Sequence, residues 1–297
     1  MDTKARLLMM YRGYNAAEKL IALNIAIFAI MVLFNAIFRS FNGYPPTFFY
    51  DYFALPNGTE VLYKPWTIIT YAFIHGGFWH LIFNCLILYF TGRIFYNFFT
   101  EKQFITVYAY GIFAGALLFL GAYNLLPAFS ESPAILMGAS AAVLAVLAAG
   151  ATYAPNMIIN LFGVLPLKYW ILTALLVISY VAAIQQGSNV GGNFAHIGGV
   201  LIGYLFVSQL QKGNDIGIGF ERFWDRLVAY FTQKKKSPLK TVYKNKQTKR
   251  STKKASTQTA SEKQRKVDGI LDKISKSGYE SLTKEEKDFL FKAGKEN

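Results

Sequence analysis

A serine, two histidines and an asparagine have the types and the spacing that acyl-transfer chemistry uses. His80 and Asn84 are four residues apart, so on a helix they lie on one face, one turn apart, where both can donate hydrogen bonds into a shared pocket. Ser140 ends a Gly-Ala-Ser tripeptide, and His196 is followed by glycine-rich sequence. A serine hydroxyl is a weak nucleophile until a neighbouring base removes its proton. Ser140 and His196 are therefore our candidates for a nucleophile and its base.

All three histidines of the chain, His75, His80 and His196, fall at or inside strongly apolar segments. Polar side chains at such positions are costly in a membrane, so each is a functional candidate, although a lone buried histidine more often serves structure. A metal site built from the three histidines would need a further carboxylate or cysteine ligand. The single cysteine, Cys85, follows Asn84 directly and points about 100° away from it on a helix. We therefore predict neither a metal nor a cofactor.

The two segments that carry the candidate nucleophile and base have compositions that allow close helix packing. Gly199 and Gly203 form a GxxxG pattern after His196, and this pattern lets two membrane helices approach closely. The natural neighbour is the segment that follows Gly138, because it is rich in alanine. Close packing of these two helices would bring His196 within hydrogen-bond reach of Ser140.

Long uncharged runs indicate which kind of element must position these residues. The chain has 297 residues, of which 53% are hydrophobic and 16% charged, whereas a typical soluble protein has about 25% charged residues. No charged residue occurs at 103–130, 132–167 or 169–211. Runs of about 20 apolar residues cross a bilayer as helices, and a soluble domain could bury one of them but not several. We predict an all-α polytopic membrane protein.

Six membrane-spanning helices account for the apolar runs. We predict them at residues 20–38, 79–98, 104–125, 134–153, 169–184 and 194–211. The long segment 39–75, which contains Pro-Pro and Asn-Gly pairs, is expected to be an ordered loop at the membrane surface. The glycine-rich segment 185–193 is expected to be a loop that forms a mobile cap over the site.

The charges predict the orientation of the chain and the partners of its tail. Six spans place both termini on one side, and the basic residues that flank the first, second and sixth spans indicate the cytoplasm. Most of the net charge of +14 comes from residues 234–266, where thirteen Lys and Arg oppose one acid. We expect this segment to bind anionic lipid head groups and not nucleic acid. The absence of a cleavable signal peptide suits a bacterial inner (cell) membrane.

The composition divides the chain into five parts. We predict a cytoplasmic N-terminal flank at 1–18, a six-helix membrane domain at 19–211, an amphipathic interfacial segment at 212–232, a basic disordered linker at 233–266 and a small two-helix cytoplasmic unit at 267–297. The interfacial segment has apolar residues at helical spacing between charged ones, and a direct continuation of the sixth span is the alternative. In the last unit, Ser281-Leu282-Thr283 followed by two glutamates indicates a helix start. We expect a docking role for this unit.

Three motifs, taken together and in order, resemble those of the rhomboid proteases. They are HGGFWHLIFN at 75–84, GAS at 138–140 and AHIGGVLIG at 195–203. They fall on the second, fourth and sixth predicted spans, as they do in that family, and the similarity covers about residues 16–211. The resemblance implies a rhomboid-like bundle of six transmembrane helices. It also implies a Ser–His dyad that hydrolyses peptide bonds in or near transmembrane segments of single-span or polytopic membrane-protein substrates.

The resemblance further implies a role for each motif residue. Ser140 would be the nucleophile and His196 the general base, and no Asp or Glu occurs at 134–211 to complete a triad. His80 and Asn84, with the backbone N–H of Ser140, would form the oxyanion hole. Three glycines would allow helix packing near the site: Gly138, Gly199 and Gly203.

The chain departs from the rhomboid pattern at three positions. Ala141 follows the serine where the family often has glycine, and Leu144 stands where many members carry an aromatic ring that lies against the base. In the first loop, Trp66 is followed by Thr67 where many members have Trp-Arg. We expect another group to orient His196, and we expect an altered loop anchor without loss of catalysis.

Other functions fit part of the pattern. A catalytically inactive rhomboid-like protein would bind membrane-protein clients, but such relatives usually lose the serine or the histidine, and both are present here. A transporter or channel would be favoured by charged residues inside the spans, and the last three predicted spans have none. Acyl transfer to an acceptor other than water would use the same residues as hydrolysis.

Overall fold

The computed structural model of the protein describes residues 2–130, 132–161, 163–231 and 258–295. The chain divides into two compact units, Met1–Gln233 and Lys234–Asn297. The helices described in the first unit are α1 (Thr3–Gly13), α2 (Ala16–Asn42), α3 (Phe48–Phe53), α4 (Thr67–Thr70), α5 (Phe78–Phe95), α6 (Glu101–Leu125), α7 (Ser140–Tyr153), α8 (Tyr169–Gln185), α9 (Val190–Gln211) and α10 (Ile218–Phe231). Its strands are β1 (Leu55–Pro56), β2 (Ile135–Leu136), β3 (Ile158–Leu161) and β4 (Leu165–Lys168).

Local capping groups set the ends of two of the long helices. At the start of α2, the Asn15 side chain accepts a hydrogen bond from the Glu18 backbone N–H, while the Glu18 carboxylate accepts one from the Asn15 backbone. Thr100 and Gln103 form the same reciprocal pair at the start of α6. Gly43 ends α2 with a φ of 79°, a left-handed conformation that glycine adopts without steric cost.

The described residues confirm a predominantly helical membrane fold. Four helices, α2, α5, α6 and α9, are long and apolar enough to cross a membrane, and α7 and α8 are shorter apolar helices of 14 and 17 residues. At about 1.5 Å per residue α7 is about 21 Å long, which is less than the roughly 30 Å of a bilayer's hydrocarbon core. Two small antiparallel sheets, β1–β2 and β3–β4, add to the helices.

The fourth apolar helix is shorter than the predicted span at 134–153, because the segment before Ser140 is extended. Leu136 pairs with Leu55 and Ile135 with Pro56 in the β1–β2 sheet. The Asn57 side chain continues this contact, since its oxygen accepts a hydrogen bond from the Ala134 backbone N–H at 3.0 Å. Residues of the long first loop therefore hold residues 135–136 in an extended conformation shortly before α7 begins at Ser140.

The sixth apolar helix is longer than the predicted span at 194–211. It begins at Val190, so the loop between α8 and α9 comprises residues 186–189 and not 185–193. The first turn of α9 packs against α6: a β-carbon at Gly191 would lie 2.6 Å from the Phe119 ring. The extra turn is thus stabilised by a close contact that the glycine permits.

Helix α7 lies at the centre of the bundle. Its residues 141–151 are all buried, and α5, α6, α8 and α9 all contact it. Small residues allow this arrangement, since a β-carbon at Gly111 of α6 would lie 2.6 Å from the Cα of Ala142. The buried, apolar and small side chains of α7 explain why a helix too short to span a membrane is nevertheless well packed.

The long first loop is anchored by three side chains that donate to consecutive backbone carbonyls at residues 51–53. Lys64 Nζ donates to the carbonyl of residue 51 at 2.9 Å, Trp66 Nε1 to that of residue 52 at 2.8 Å, and Thr70 Oγ1 to that of residue 53 at 2.8 Å. Thr67 is fully buried and its hydroxyl donates to the Lys64 carbonyl. The loop is therefore ordered around Trp66 although no arginine follows it.

Helix α10 is separate from α9. A turn at residues 212–217, with Gly213 at a φ of 84°, ends α9, so α10 does not continue the sixth apolar helix. Lys102 Nζ contacts the Asp225 carboxylate at 2.7 Å, and the Tyr110 hydroxyl donates to the Ile216 carbonyl at 2.9 Å. These contacts join α10 and the turn before it to α6.

The second unit contains α11 (Gln258–Ser277) and α12 (Lys284–Lys295) in its described residues. Glu286 accepts a hydrogen bond from the Thr283 backbone N–H at 2.8 Å and contacts Lys273 Nζ at 2.9 Å. The predicted basic linker at 233–266 lies outside the described residues as far as residue 257. From residue 258 onward that part of the predicted linker is helical, because α11 begins there.

Candidate active site

Ser140 and His196 meet where the first turn of α7 faces the second turn of α9. The distance between Ser140 Oγ and His196 Nε2 is 2.7 Å, which is the length of a good hydrogen bond. Their helices approach closely at two glycines: a β-carbon at Gly199 would overlap the Ala141 carbonyl oxygen, and one at Gly203 would overlap the Ala145 carbonyl oxygen. The absence of side chains at these two positions allows the contact between serine and histidine.

Gly138 lies under the imidazole of His80. Its φ of 109° is a conformation that residues with a side chain rarely adopt, and a β-carbon there would lie 2.5 Å from His80 Nε2. The backbone N–H of Gly138 donates to the Tyr71 carbonyl at 2.9 Å. We expected Gly138 to permit the approach of another helix, and its close neighbour is instead a side chain. The His80 ring therefore packs against Gly138, which is two residues before Ser140 in the chain.

Asn84 is buried one turn after His80 on α5. Its amide nitrogen donates one hydrogen bond to the His80 carbonyl at 2.8 Å. A carboxamide has two N–H groups, so the second one is not used by this bond. His80 and Asn84 therefore lie on one face of α5, as their spacing requires, and the nucleophile comes from another helix, α7.

His75 supports His80 from the loop before α5. It is 1% exposed, and its ring contacts that of His80 edge-on, with the ring centroids 5.2 Å apart. Burial, together with the neighbouring His80, lowers the pKa of His75 to about 4. His75 is therefore uncharged at neutral pH and packs against His80 without adding positive charge to the site.

The His196 ring has a second neighbour that the sequence did not indicate. Tyr180 of α8 lies with its ring centroid 4.6 Å from that of His196 and its plane tilted by 56°. Leu144, one turn after Ser140, is buried in the apolar cluster against which Tyr180 packs. A tyrosine inside an uncharged span was the available signal, but nothing in its spacing says which helix it faces.

The site residues are surrounded by apolar helices and can carry out proton transfer between a hydroxyl and an imidazole. No group of three His, Cys, Asp or Glu side chains that could hold a metal ion occurs among residues 2–130, 132–161, 163–231 and 258–295. Ser140, at the first position of α7, has a backbone N–H of the kind that helix starts leave free for a ligand.

Two segments of the chain match known families. Residues 63–212 match the Rhomboid domain, which covers half of the chain and includes every candidate site residue. Residues 258–293, which correspond to α11 and most of α12, match a family of unknown function, DUF6576. No curated protein matches this chain.

Proposed function

The chain belongs to the rhomboid family, and we propose that it is an intramembrane serine endopeptidase with Ser140 as nucleophile and His196 as general base. The observation that carries the proposal is the 2.7 Å distance between Ser140 Oγ and His196 Nε2 inside a bundle of apolar helices. The apolar helices and the Rhomboid domain indicate a multi-pass membrane protein. Peptide bonds in or near transmembrane segments of other membrane proteins are therefore the proposed substrates.

In the proposed mechanism, the neutral His196 ring accepts the Ser140 proton at Nε2. The hydroxyl oxygen attacks the scissile carbonyl, and the His196 ring then gives this proton to the leaving amine. Water, deprotonated by the same ring, hydrolyses the acyl-enzyme and regenerates Ser140. For Nε2 to accept a proton, the neutral ring must carry its own proton on Nδ1.

The oxyanion of the tetrahedral intermediate would be stabilised by donors from two helices. The proposed donors are the side chains of His80 and Asn84 and the backbone N–H of Ser140. The start of α7 adds to this effect, because the free N–H groups and the dipole of a helix favour negative charge at its N-terminus. Gly138 supports the arrangement, since its lack of a side chain leaves room for the His80 ring close to the start of α7.

Water has to reach Ser140 from the side of the long first loop. Helix α7 is too short to cross the hydrocarbon core, and the β1–β2 sheet joins its serine end to that loop. We propose that this side is non-cytoplasmic and that both termini are cytoplasmic. The proposed mobile cap reduces to residues 186–189, because α9 begins at Val190. Crosslinking this loop to its surroundings should slow cleavage.

The remaining proposed partners concern the tail and the lipid. Residues 234–266 carry thirteen Lys and Arg against one acid, so we propose that this segment contacts anionic head groups of the bilayer. A bacterial inner membrane is the proposed location. Neither nucleic acid nor a cofactor is part of the proposal.

Cleavage of a single-span reporter protein by the purified full-length chain in liposomes tests the proposed activity. Ser140→Ala and His196→Ala should each lower kcat by several orders of magnitude, because nucleophile and base act as a unit. Ser179→Ala is the matched control: this serine lies in an apolar helix and donates to its own helix at the Leu176 carbonyl. Its activity should equal that of the wild type.

Each result has a clear meaning. Loss in both site variants, together with wild-type activity of Ser179→Ala, supports the dyad. Cleavage that persists in Ser140→Ala contradicts the mechanism. A wild type that cleaves none of several reporters and resists a fluorophosphonate probe favours the alternative, a catalytically inactive rhomboid that binds membrane-protein clients.

A further inference from the structure

The His196 imidazole makes one hydrogen bond in the structure, to Ser140. Its other nitrogen, Nδ1, is buried and has no hydrogen-bond partner within the described residues. In a Ser–His–Asp triad a carboxylate at this nitrogen fixes the orientation of the ring, and no Asp or Glu occurs between residues 132 and 211. Rotation about the last side-chain torsion of histidine is broad, so one bond at Nε2 does not hold the ring by itself.

Tyr180 is the aromatic neighbour of the His196 ring. Its ring lies against that of His196, with centroids 4.6 Å apart, which is within the range of favourable aromatic contacts. Tyr180 is itself held, because it packs against the buried cluster that includes Leu144 and Leu147 of α7 and Tyr169 of α8. The contact therefore joins α8 to the site formed by α7 and α9.

We propose that Tyr180 is a positioning residue for the base: its ring holds the His196 imidazole with Nε2 directed at Ser140 and stabilises the cationic ring that forms when the serine proton is taken up. The proposal rests on the proposed function. An aromatic face attracts a cation, and the attraction is strongest where water is excluded. The phenol hydroxyl is not required for either effect.

The chain offers a way to move the same contact to another helix. Leu144 lies one turn after Ser140 and belongs to the cluster that Tyr180 contacts. Replacing Tyr180 by leucine and Leu144 by phenylalanine exchanges an aromatic for an aliphatic side chain at one position and does the reverse at the other. Because the total volume changes little, the core should tolerate the exchange.

The experiment measures kcat and KM for the full-length protein in liposomes with a single-span reporter substrate. Tyr180→Leu should lower kcat by about 3- to 30-fold and leave KM unchanged. Tyr180→Phe should retain the wild-type kcat, since the ring remains. The double variant Tyr180→Leu/Leu144→Phe should regain most of the lost rate. Tyr204→Leu, which removes an exposed tyrosine of the neighbouring helix α9, is the control and should have no effect.

A second measurement reports on the ring without turnover. The chain has three histidines, so protein labelled with ¹⁵N-histidine gives three pairs of ring signals, which His75→Gln and His80→Gln assign. Tyr180→Leu should shift or broaden the His196 pair and leave the two others in place.

The outcomes separate this proposal from the proposed function. The role of the ring is overturned if Tyr180→Leu keeps the wild-type kcat, if it changes KM alone, or if Tyr180→Phe lowers kcat as much as Tyr180→Leu does. Cleavage by the wild type still stands in each of these cases. Unchanged His196 signals in Tyr180→Leu overturn it as well. If the wild type neither cleaves nor reacts with a fluorophosphonate probe, both the catalytic function and the positioning role fall.

Discussion

Ala141, directly after the candidate nucleophile, fits because glycines surround it. A β-carbon at Gly115 of α6 would lie 2.6 Å from the β-carbon of Ala141, so the glycine leaves the space that the alanine side chain needs. The Ala141 carbonyl oxygen occupies the space beside Gly199 of α9. The alanine that replaces the glycine common in rhomboids is thus accommodated by small residues on both neighbouring helices.

The proposed oxyanion donors can be tested one at a time. His80→Ala and Asn84→Ala should each lower kcat by about 10²- to 10³-fold, because such donors act mainly on the charge that develops in the transition state. KM should change little. Asn97→Ala, which removes an exposed asparagine after the end of the same helix, is the control. An effect on KM alone, or equal effects of all three substitutions, would contradict the assignment of these donors.

At the scale of elements, the packing of α9 on α7 depends on glycine. Gly199 and Gly203 lie against the backbone carbonyls of Ala141 and Ala145, so the helices approach as closely as backbones can. Membrane helices associate through such contacts, because lipid is as apolar as their side chains and no hydrophobic force drives them together.

Gly199→Ala should separate the serine from the histidine. The added β-carbon overlaps a backbone oxygen that cannot rotate away, so we expect α9 to shift, with a loss of about 1–3 kcal/mol of stability and of most of the cleavage activity. Gly121→Ala in α6 is the matched control, since no atom lies within 4 Å of its added β-carbon. Thermal unfolding in detergent and kcat are the measurements. Equal behaviour of the two variants would show that close packing at Gly199 is unimportant.

The first loop also acts at the scale of elements. Lys64, Trp66 and Thr70 fold it back onto the carbonyls at 51–53, and the strand that follows pairs with β2. That pairing keeps residues 135–136 extended and determines that α7 begins at Ser140. The loop anchor thus differs from the Trp-Arg pattern, and the start of the central helix depends on it.

At the scale of the whole molecule, the candidate site is built from residues of one of the two units. Every candidate site residue lies within Met1–Gln233, and the match to the Rhomboid domain ends at residue 212. The second unit has its own buried residues, Ile270 and Leu282, and its own ion pair between Lys273 and Glu286.

Deletion of residues 234–297 should leave kcat for a single-span reporter unchanged, because the first unit is compact without them. The same deletion should weaken the binding of anionic vesicles, relative to neutral ones, to protein held in nanodiscs of neutral lipid, since it removes the segment in which thirteen basic residues oppose one acid. Full-length protein is the reference in both assays. A truncated protein that loses cleavage but remains folded would mean that the tail takes part in catalysis.

The sequence by itself determined the membrane-embedded helical class and the rhomboid family, both of which are confirmed. Long uncharged runs require helices whatever their neighbours are, because an unsatisfied backbone in lipid is too costly. The spacing of His80 and Asn84 likewise defines a shared face through helix geometry alone. Such features depend on residues close together in the chain.

Contacts between distant segments were decided by the tertiary structure. The start of α7 at Ser140 depends on a strand pairing with residues 55–56, and the extra turn of α9 depends on a ring of α6. The neighbour of Gly138 is the His80 ring, and the aromatic partner of His196 comes from α8. Helical periodicity tells which residues share a face, but the packing of small residues at Gly111, Gly115 and Gly199 decides which faces meet.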